Sequence, residues 1–555
     1  MAGIAVPWST IVAVTVAVPD GTLMFALIAL ADTTLLPEVE LIDTVGFPAA
    51  VAELAAAIEA VVTKASTAKR RMMRLICISL SMELSLHVED SHLRLVGATY
   101  HRAAGTAARL KPQPANAPAP DTIGHRTFNH NLLESDTVSI DISNISNLSV
   151  EPGTLPDKMA AWVVRDGAFG QPIDAIKLEE VDVPQPGAFE VIVRVMAAGV
   201  NFNNVWAARG EPVSVFRYGD HPETGHHIGG SDASGIVWKV GEGVTRWKAG
   251  DEVVVHCNQA SYEDPEVHGL DPLAAPSQRI WGYETTWGSF AEFCKVQAQQ
   301  LLPKPEALSW EEAASYGLTY FTAYRMLMDQ AKIQAGDKVL IWGAAGGLGV
   351  FATQLCAVTG ADCVGVVSSP EKGALLEQLG ATGWIDRNEF AGMMRTGTET
   401  PEEEKARFKE SRRFCKAVEE ILGGPPDIVF EHVGQATFPT SVLCVKPFGK
   451  VVICGATSGF NLDFDVRYLW MRQKQIIGSH FANAWEATRA NELINSSKVR
   501  PVLWKTMGFD KVAEAHQLLS DNKHLGKISI LVGATAEGEG KTKEGPGAIR
   551  AEVAA

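Results

Sequence analysis

The chain has 555 residues, enough for two or three domains with cores of their own. Acidic residues outnumber basic ones by 65 to 49, a formal charge of −16. That balance argues against nucleic acid or an anionic membrane as a main partner, and it leaves room for a local basic pocket that takes a small anion. No apolar run reaches the roughly 18–20 residues that a membrane span needs. The nearest candidate, residues 11–31, is broken by Pro19-Asp20-Gly21. The first lysine is Lys64, so the start lacks the positive charge of a secretory signal, and the expected location is the cytoplasm. The eight cysteines form no C-x-x-C pair and sit mostly in apolar runs, which reads as reduced, buried thiols and gives a zinc knuckle no support.

Residues 1–155 read differently from the rest. They hold an Ala-rich stretch from Pro48 to Ala68 that suits one helix, a basic cluster at Lys69-Arg70-Arg71 and Arg74, a Pro/Ala run and a polar Ser/Asn/Asp segment. No chemistry is legible there. The segment reads as an N-terminal extension of unknown fold, partly disordered, as a small appended module, or as a stretch upstream of a true start near Met159. From residue 156 to about 324, short β-rich runs such as Val191–Val195, Gly235–Val240 and Glu252–His256 alternate with Gly/Pro/Asp turns. From about 325 to 483 strands alternate with helices: a strand at Lys338–Trp342, a helix at Gly349–Thr359, a strand at Cys363–Val367, a helix at Glu371–Leu379, then strands at Ile428–Glu431 and Val451–Cys454. That alternation predicts a parallel, doubly wound sheet, so the fold class is α/β with a β-rich first domain. Residues 484–535 supply a helix and a final strand that return to the first domain, and residues 536–555 read as a disordered Gly/Lys/Glu/Ala-rich tail.

The strand Lys338–Trp342 runs into Gly343-Ala344-Ala345-Gly346-Gly347-Leu348-Gly349 and then into a helix. In that context Gly343, Ala345, Gly346, Gly347, Leu348 and Gly349 form a turn whose backbone N–H groups can approach a pyrophosphate at the helix N-terminus. The next strand ends in Ser368-Ser369, with Lys372 close behind and Arg387 after the following strand. Hydroxyls and cations suit a 2′-phosphate where an NAD site carries a carboxylate, so the expected cofactor is NADPH. The bland alternative is that Lys372 is a solvated helix residue.

A β-rich first domain, a G-x-x-G-G-x-G-type turn and a C-terminal return together resemble the medium-chain dehydrogenase/reductase superfamily, which implies a GroES-like catalytic domain beside a Rossmann domain. Zinc-dependent members place Cys after a Gly-Val step and a His-Glu pair after a Gly. This sequence has Gly199-Val200-Asn201 and Gly230-Ser231-Asp232 instead, and it lacks the structural-zinc cysteine cluster, so no metal site is expected. Hydride transfer to a conjugated double bond needs an electrophilic alkene and an oxyanion site, without a Lewis acid.

A closer resemblance is to the crotonyl-CoA carboxylase/reductases. It is carried by Val200-Asn201-Phe202-Asn203-Asn204-Val205-Trp206, Gly230-Ser231-Asp232-Ala233-Ser234-Gly235, Arg279-Ile280-Trp281-Gly282-Tyr283-Glu284-Thr285, Phe430-Glu431-His432-Val433-Gly434, Arg467-Tyr468-Leu469-Trp470-Met471 and Gly478-Ser479-His480-Phe481-Ala482-Asn483. It implies NADPH-dependent reduction of an enoyl-CoA with CO2 captured at Cα, a homotetramer, and a CO2-holding set at Asn201, Tyr283, Glu284 and His432. Within that set, N–H groups of Asn201 and His432 would hold the CO2 oxygens, Tyr283 would keep water out, and Glu284 would orient a water or fix the histidine tautomer. Each residue also has a plainer reading: Asn201 as an Asx turn, Tyr283 as core, Glu284 as an ion-pair or cap residue, His432 as a structural histidine. Val433 stands where the resemblance expects Pro, which leaves the pose of His432 open. Arg467, Trp470, Arg472 and Lys474 are candidates for holding the CoA phosphates and acyl group, against the alternative of a solvated face and core. Two other functions stay in play: a reductase of enoyl-CoA or quinone that only protonates its product, and a silent NADPH-binding module.

Overall fold

The computed structural model describes residues 151–551 apart from 219–220 and 223–224, together with the strand backbones 10–17, 23–30, 73–77, 82–89 and 92–100. Those five strands belong to a unit spanning Met1–Asn131 and pair antiparallel in chain order. The helix expected at residues 48–68 lies outside the described residues.

In the second unit the chain builds β1 (Glu190–Gly199), helix α1 (Phe202–Arg209), β2 (Asp232–Val240), β3 (Glu252–Val255), β4 (Phe293–Gln297) and β5 (Leu301–Pro303). It continues through β6 (Lys338–Ile341), α2 (Gly349–Thr359), β7 (Asp362–Val367), α3 (Pro370–Gln378), β8 (Gly383–Asp386), β9 (Ile428–Glu431), β10 (Lys450–Ile453) and β11 (Gln475–Gly478). It closes with β12 (Val502–Met507), β13 (Lys527–Leu531) and β14 (Ile549–Arg550).

Two sheets position the site. The first runs β5-β3-β2-β1-β13-β12-β14, with β4 also on β1, so β13, from late in the chain, enters the interior of the sheet by pairing antiparallel with β1. The second runs β8-β7-β6-β9-β10-β11 with every pairing parallel. The strand order reverses direction beside β6, the switch point where such sheets bind ligands. The sequence shows why: β6, β9 and β10 are short apolar runs (KVLI, IVFE, KVVI), the signature of strands covered on both faces. A continuous apolar core joins the two sheets through Tyr316, Tyr320 and Phe321. The ring of Tyr320 lies 5.1 Å from that of Phe351 on α2.

Two expectations are corrected. The stretch from 536 is not a loose tail through residue 551: β14 pairs in parallel with β12, and Ala548 and Ala551 are buried. Its composition suggested disorder because partners distant in sequence were invisible. The Arg500 side chain donates to Gly547 O, and buried Glu311 and Glu312 take Arg550 and Lys541. The cysteines are not all thiols either. Cys415, on the helix Pro401–Leu422, is bonded to Cys444, at the end of Phe438–Cys444, across 29 residues of sequence that hid their proximity. Among the described residues no helix is long and apolar enough to cross a membrane.

Candidate active site

A cavity of about 410 Å³ opens where the two sheets meet. Its near wall is the glycine turn between β6 and α2: Gly343, Ala345, Gly346, Gly347 and Leu348 all line it. Gly343 has φ +55, a left-handed conformation, and a Cβ there would meet the His432 ring at 2.9 Å. A Cβ on Gly347 would strike the Lys527 side chain at 2.9 Å. These positions keep the backbone open to a ligand. Gly349 does not reach the cavity: it starts α2 and is packed so closely on Ala344 that a Cβ would sit 2.4 Å from its Cα.

At the end of this wall Ser368, Lys372 and Arg387 line the cavity together. The Lys372 ammonium donates to Ser368 Oγ at 3.2 Å, and Asn388 Nδ2 donates to Ser368 O at 3.0 Å. Burial, and then the neighbouring Arg387 charge, push the Lys372 pKa down. Two cations that repel each other beside a hydroxyl form a place for an anion, and the set fits the 2′-phosphate of NADPH. Ser369 is committed elsewhere: it is the N-cap of α3, its side chain accepting from Lys372 N, with Pro370 at the first helical position.

The far wall is the start of α1 and the first residue of β13. Asn201 is the N-cap residue of α1 but makes no side-chain cap bond, which removes the Asx-turn reading. Its amide Nδ2 donates to Asp232 Oδ2 at 2.8 Å, and its Oδ1 accepts from Lys527 Nζ at 2.5 Å. Lys527 also pairs with Asp232 at 3.0 Å and donates to Val200 O at 3.1 Å. Asp232 Oδ1 accepts from Leu318 N. All three side chains are buried.

His432 closes the cavity at the end of β9. Its Nε2 lies 2.9 Å from the Trp342 carbonyl oxygen, which can only accept, so Nε2 carries the hydrogen. Burial lowers its pKa, so the ring is neutral and Nδ1 is an acceptor. The expected N–H from His432 to CO2 is therefore absent in this pose: the donor is spent on the backbone. The turn behind it is pinned by buried Glu431, which accepts from Val433 N at 2.7 Å, Gly434 N at 3.2 Å, Thr437 Oγ1 at 3.0 Å and Ser441 Oγ at 2.6 Å. Val433, in place of the expected Pro, supplies an N–H that Pro lacks. Burial raises the Glu431 pKa, and these hydrogen bonds oppose the rise.

Tyr283 and Glu284 are not in the cavity lining. They sit on a turn whose Gly282 O accepts from Gly230 N at 3.1 Å, which ties it to the segment leading into Asp232. Glu284 Oε2 accepts from Ile280 N at 2.7 Å, so one oxygen holds the turn. Tyr283 is partly buried against the core, and burial, then Tyr218 and Glu284, push its phenol pKa up. The Glu284 charge also raises the His480 pKa against the dominant effect of burial.

The four proposed CoA contacts do not join the cavity. Arg467 pairs with Asp465, and Trp470 is 63% exposed. The Lys474 ammonium donates to Val442 O at 2.6 Å and Leu443 O at 3.1 Å, near the C-terminal end of the helix Phe438–Cys444, and burial followed by the Arg472 charge lowers its pKa to about 8. Local pairing accounts for Arg467 and helix capping for Lys474. Sequence reading missed Thr319, Asn522, His524 and Lys527, all in the lining. For Lys527 a signal existed: a lysine opening an otherwise uncharged strand, Lys-Ile-Ser-Ile-Leu.

Asn201 and Asp232 are bonded to each other and to Lys527. Among the described residues no cluster of three or more His, Cys, Asp or Glu is placed to hold a metal ion. A catalytic β-sheet domain, a parallel nucleotide-binding sheet and a glycine-turn cavity between them define a medium-chain dehydrogenase/reductase. The alcohol dehydrogenase GroES-like domain model matches residues 187–306, and the zinc-binding dehydrogenase model matches residues 347–496. Crotonyl-CoA carboxylase/reductase of Cereibacter sphaeroides is 46% identical over 415 residues, covering 73% of this chain and 96% of that protein. Crotonyl-CoA reductase of Streptomyces collinus is 44% identical over 66% of this chain and 84% of its own length. Among solved structures, crotonyl-CoA carboxylase/reductase AntE in complex with NADP superposes with a TM-score of 0.66 at 46% identity, covering 70% of this chain and 98% of that one. The 2-octenoyl-CoA carboxylase reductase CinF, with NADP and 2-octenoyl-CoA, gives a TM-score of 0.66 at 38% identity, covering 70% and 91%. The chain belongs to the crotonyl-CoA carboxylase/reductase family.

Proposed function

We propose that this enzyme reduces a short enoyl-CoA with NADPH and adds CO2 at Cα, converting crotonyl-CoA to ethylmalonyl-CoA. One observation carries the reading: a glycine turn with a Ser368–Lys372–Arg387 anion site shares its cavity with Asn201 and His432. NADPH, when bound, supplies a hydride for Cβ of the thioester, which leaves the substrate as an enolate nucleophilic at Cα.

The chain's own residues then decide what meets that carbon. Asn201 keeps one amide N–H beyond the one given to Asp232, and it donates that hydrogen to an oxygen of CO2. The acceptor Nδ1 of His432 holds a water that donates to the other oxygen, in place of the direct N–H contact expected from sequence. Tyr283 and Glu284 act from the adjoining turn, Tyr283 by excluding water and Glu284 by orienting it. A proton at Cα would give the saturated acyl-CoA, so a dry cavity is part of the chemistry. Relatives at 46% and 38% identity whose names carry carboxylation support this over simple protonation.

We place the enzyme in the cytoplasm, where NADPH and CoA thioesters are available, and in a homo-oligomer. The family resemblance supports a tetramer. An exposed apolar surface beside the edge strand β11, with Val466, Trp470 and Met471, supports association of copies.

The test is NADPH plus crotonyl-CoA, with and without bicarbonate, read by mass spectrometry. Ethylmalonyl-CoA is expected when bicarbonate is present. Butyryl-CoA alone under both conditions would favour a non-carboxylating reductase, and no NADPH oxidation would favour a binding module.

A further inference from the structure

Lys527 lines the cavity and carries a positive charge, so the obvious role for it is an anion ligand. Its surroundings argue otherwise. An ammonium has three hydrogens. Here they have three acceptors within the protein: Asn201 Oδ1 at 2.5 Å, Asp232 Oδ2 at 3.0 Å and Val200 O at 3.1 Å. None is left for a phosphate or a thioester. The buried charge is instead matched by Asp232, itself 1% exposed.

The Asn201 amide lies between these two charges. In the observed orientation its carbonyl oxygen faces the ammonium and its NH2 faces the carboxylate. Turning the amide over would set NH2 against the ammonium and the oxygen against the carboxylate, and both contacts would be repulsive. The pair therefore selects one of two nearly isosteric orientations. We infer that Lys527 and Asp232 are positioning residues that fix the Asn201 amide with its remaining N–H toward the cavity. They set the partition of the enolate between CO2 and a proton. The inference rests on the proposed role of Asn201 in holding CO2.

The ends of the pair lie far apart in the chain: Asp232 opens β2 and Lys527 opens β13. The interior strand β13 thus has a part in the choice of product as well as in folding.

The readout is the ratio of ethylmalonyl-CoA to butyryl-CoA formed by the full-length enzyme from NADPH, crotonyl-CoA and bicarbonate. A ratio does not depend on how much of the sample is folded. A merely structural role would lower both products together. Asp232→Asn/Lys527→Met removes both charges without leaving one orphaned. It is expected to lower the ratio about tenfold, the scale of one lost hydrogen bond, while NADPH oxidation changes less than the ratio. Lys527→Arg keeps the charge but spreads its donors over a rigid fork, and its ratio is expected to fall between wild type and the double variant. A wild-type ratio in Lys527→Arg, whether or not the double variant folds, overturns the inference, as does a wild-type ratio in a folded double variant. Asn201→Ala separates the two claims. If it leaves the ratio unchanged, the role assigned to Asn201 fails. If it lowers the ratio and the charge variants do not, only the positioning role fails.

Discussion

The two walls of the cavity are built on different principles. The near wall is local: one turn and the ends of two adjacent strands supply Gly343 to Leu348, Ser368, Lys372 and Arg387, all within 45 residues of each other in sequence and partly open to a ligand. The far wall is long-range: Asn201 and Lys527 come from opposite ends of the catalytic unit, bond to each other and share Asp232, which lies outside the lining. A local wall can be changed with an effect confined to binding. A wall made of mutually satisfied buried charges cannot lose one member without cost to the fold.

Lys527→Met alone should therefore have the largest effect on stability. It leaves the Asp232 carboxylate buried and unpaired, at a cost of about 3–5 kcal/mol. Chemical denaturation checks it, and a loss below 1 kcal/mol would mean that the pair is more hydrated than its burial implies. On the near wall, Lys372→Ala should leave the denaturation midpoint nearly unchanged and raise the KM for NADPH about tenfold or more, the scale of a lost charge-assisted contact, with little change for NADH. An equal rise for both cofactors would remove the 2′-phosphate assignment.

Acid should act on the catalytic side. His256 and His516 are buried, and burial, first among the causes, lowers each pKa to about 4. The unfolded imidazoles protonate as pH falls through their ordinary value near 6.5, while the folded ones stay neutral until about 4. Stability is thus fully present above pH 6.5 and drops below it, by about 1.4 kcal/mol per pH unit for each histidine at the full slope. Thermal melts from pH 7.5 to 5.5 should show Tm falling, and His516→Gln should reduce the slope. A narrower effect, on product choice, is expected from Gly343→Ala, where the turn meets the His432 ring. The left-handed backbone costs about 1–2 kcal/mol, and the new methyl displaces the His432 ring. The fraction of carboxylated product should fall more than NADPH oxidation does.

The same contrast explains what could be read without a structure. The glycine turn, its strand and helix, and the cations after β7 are consecutive in sequence, and their periodicity and residue types state their role directly. Ser369 was the exception, because a serine before proline reads equally as a phosphate contact or a helix cap. Asn201 and His432 were found through their motifs, yet their hydrogen bonds were not legible: no pattern says that Trp342 O takes the histidine donor. Asp232 was noted only within motifs, with no role of its own, and Lys527 only as part of a strand. Their meaning lies in a contact across 295 residues. The folded segment up to residue 551 was misread for the same reason: its order comes from Glu311, Glu312 and Arg500, far away in the sequence.

The competition at Cα can be measured directly by running the reaction in deuterium oxide with carbon-13-labelled bicarbonate, NADPH and crotonyl-CoA. Mass spectrometry of the product thioester then reports what the enolate captured. A labelled carboxyl group on Cα in most turnovers is the expected result. Deuterium at Cα with no labelled carboxyl, at saturating bicarbonate, would contradict carboxylation by this enzyme.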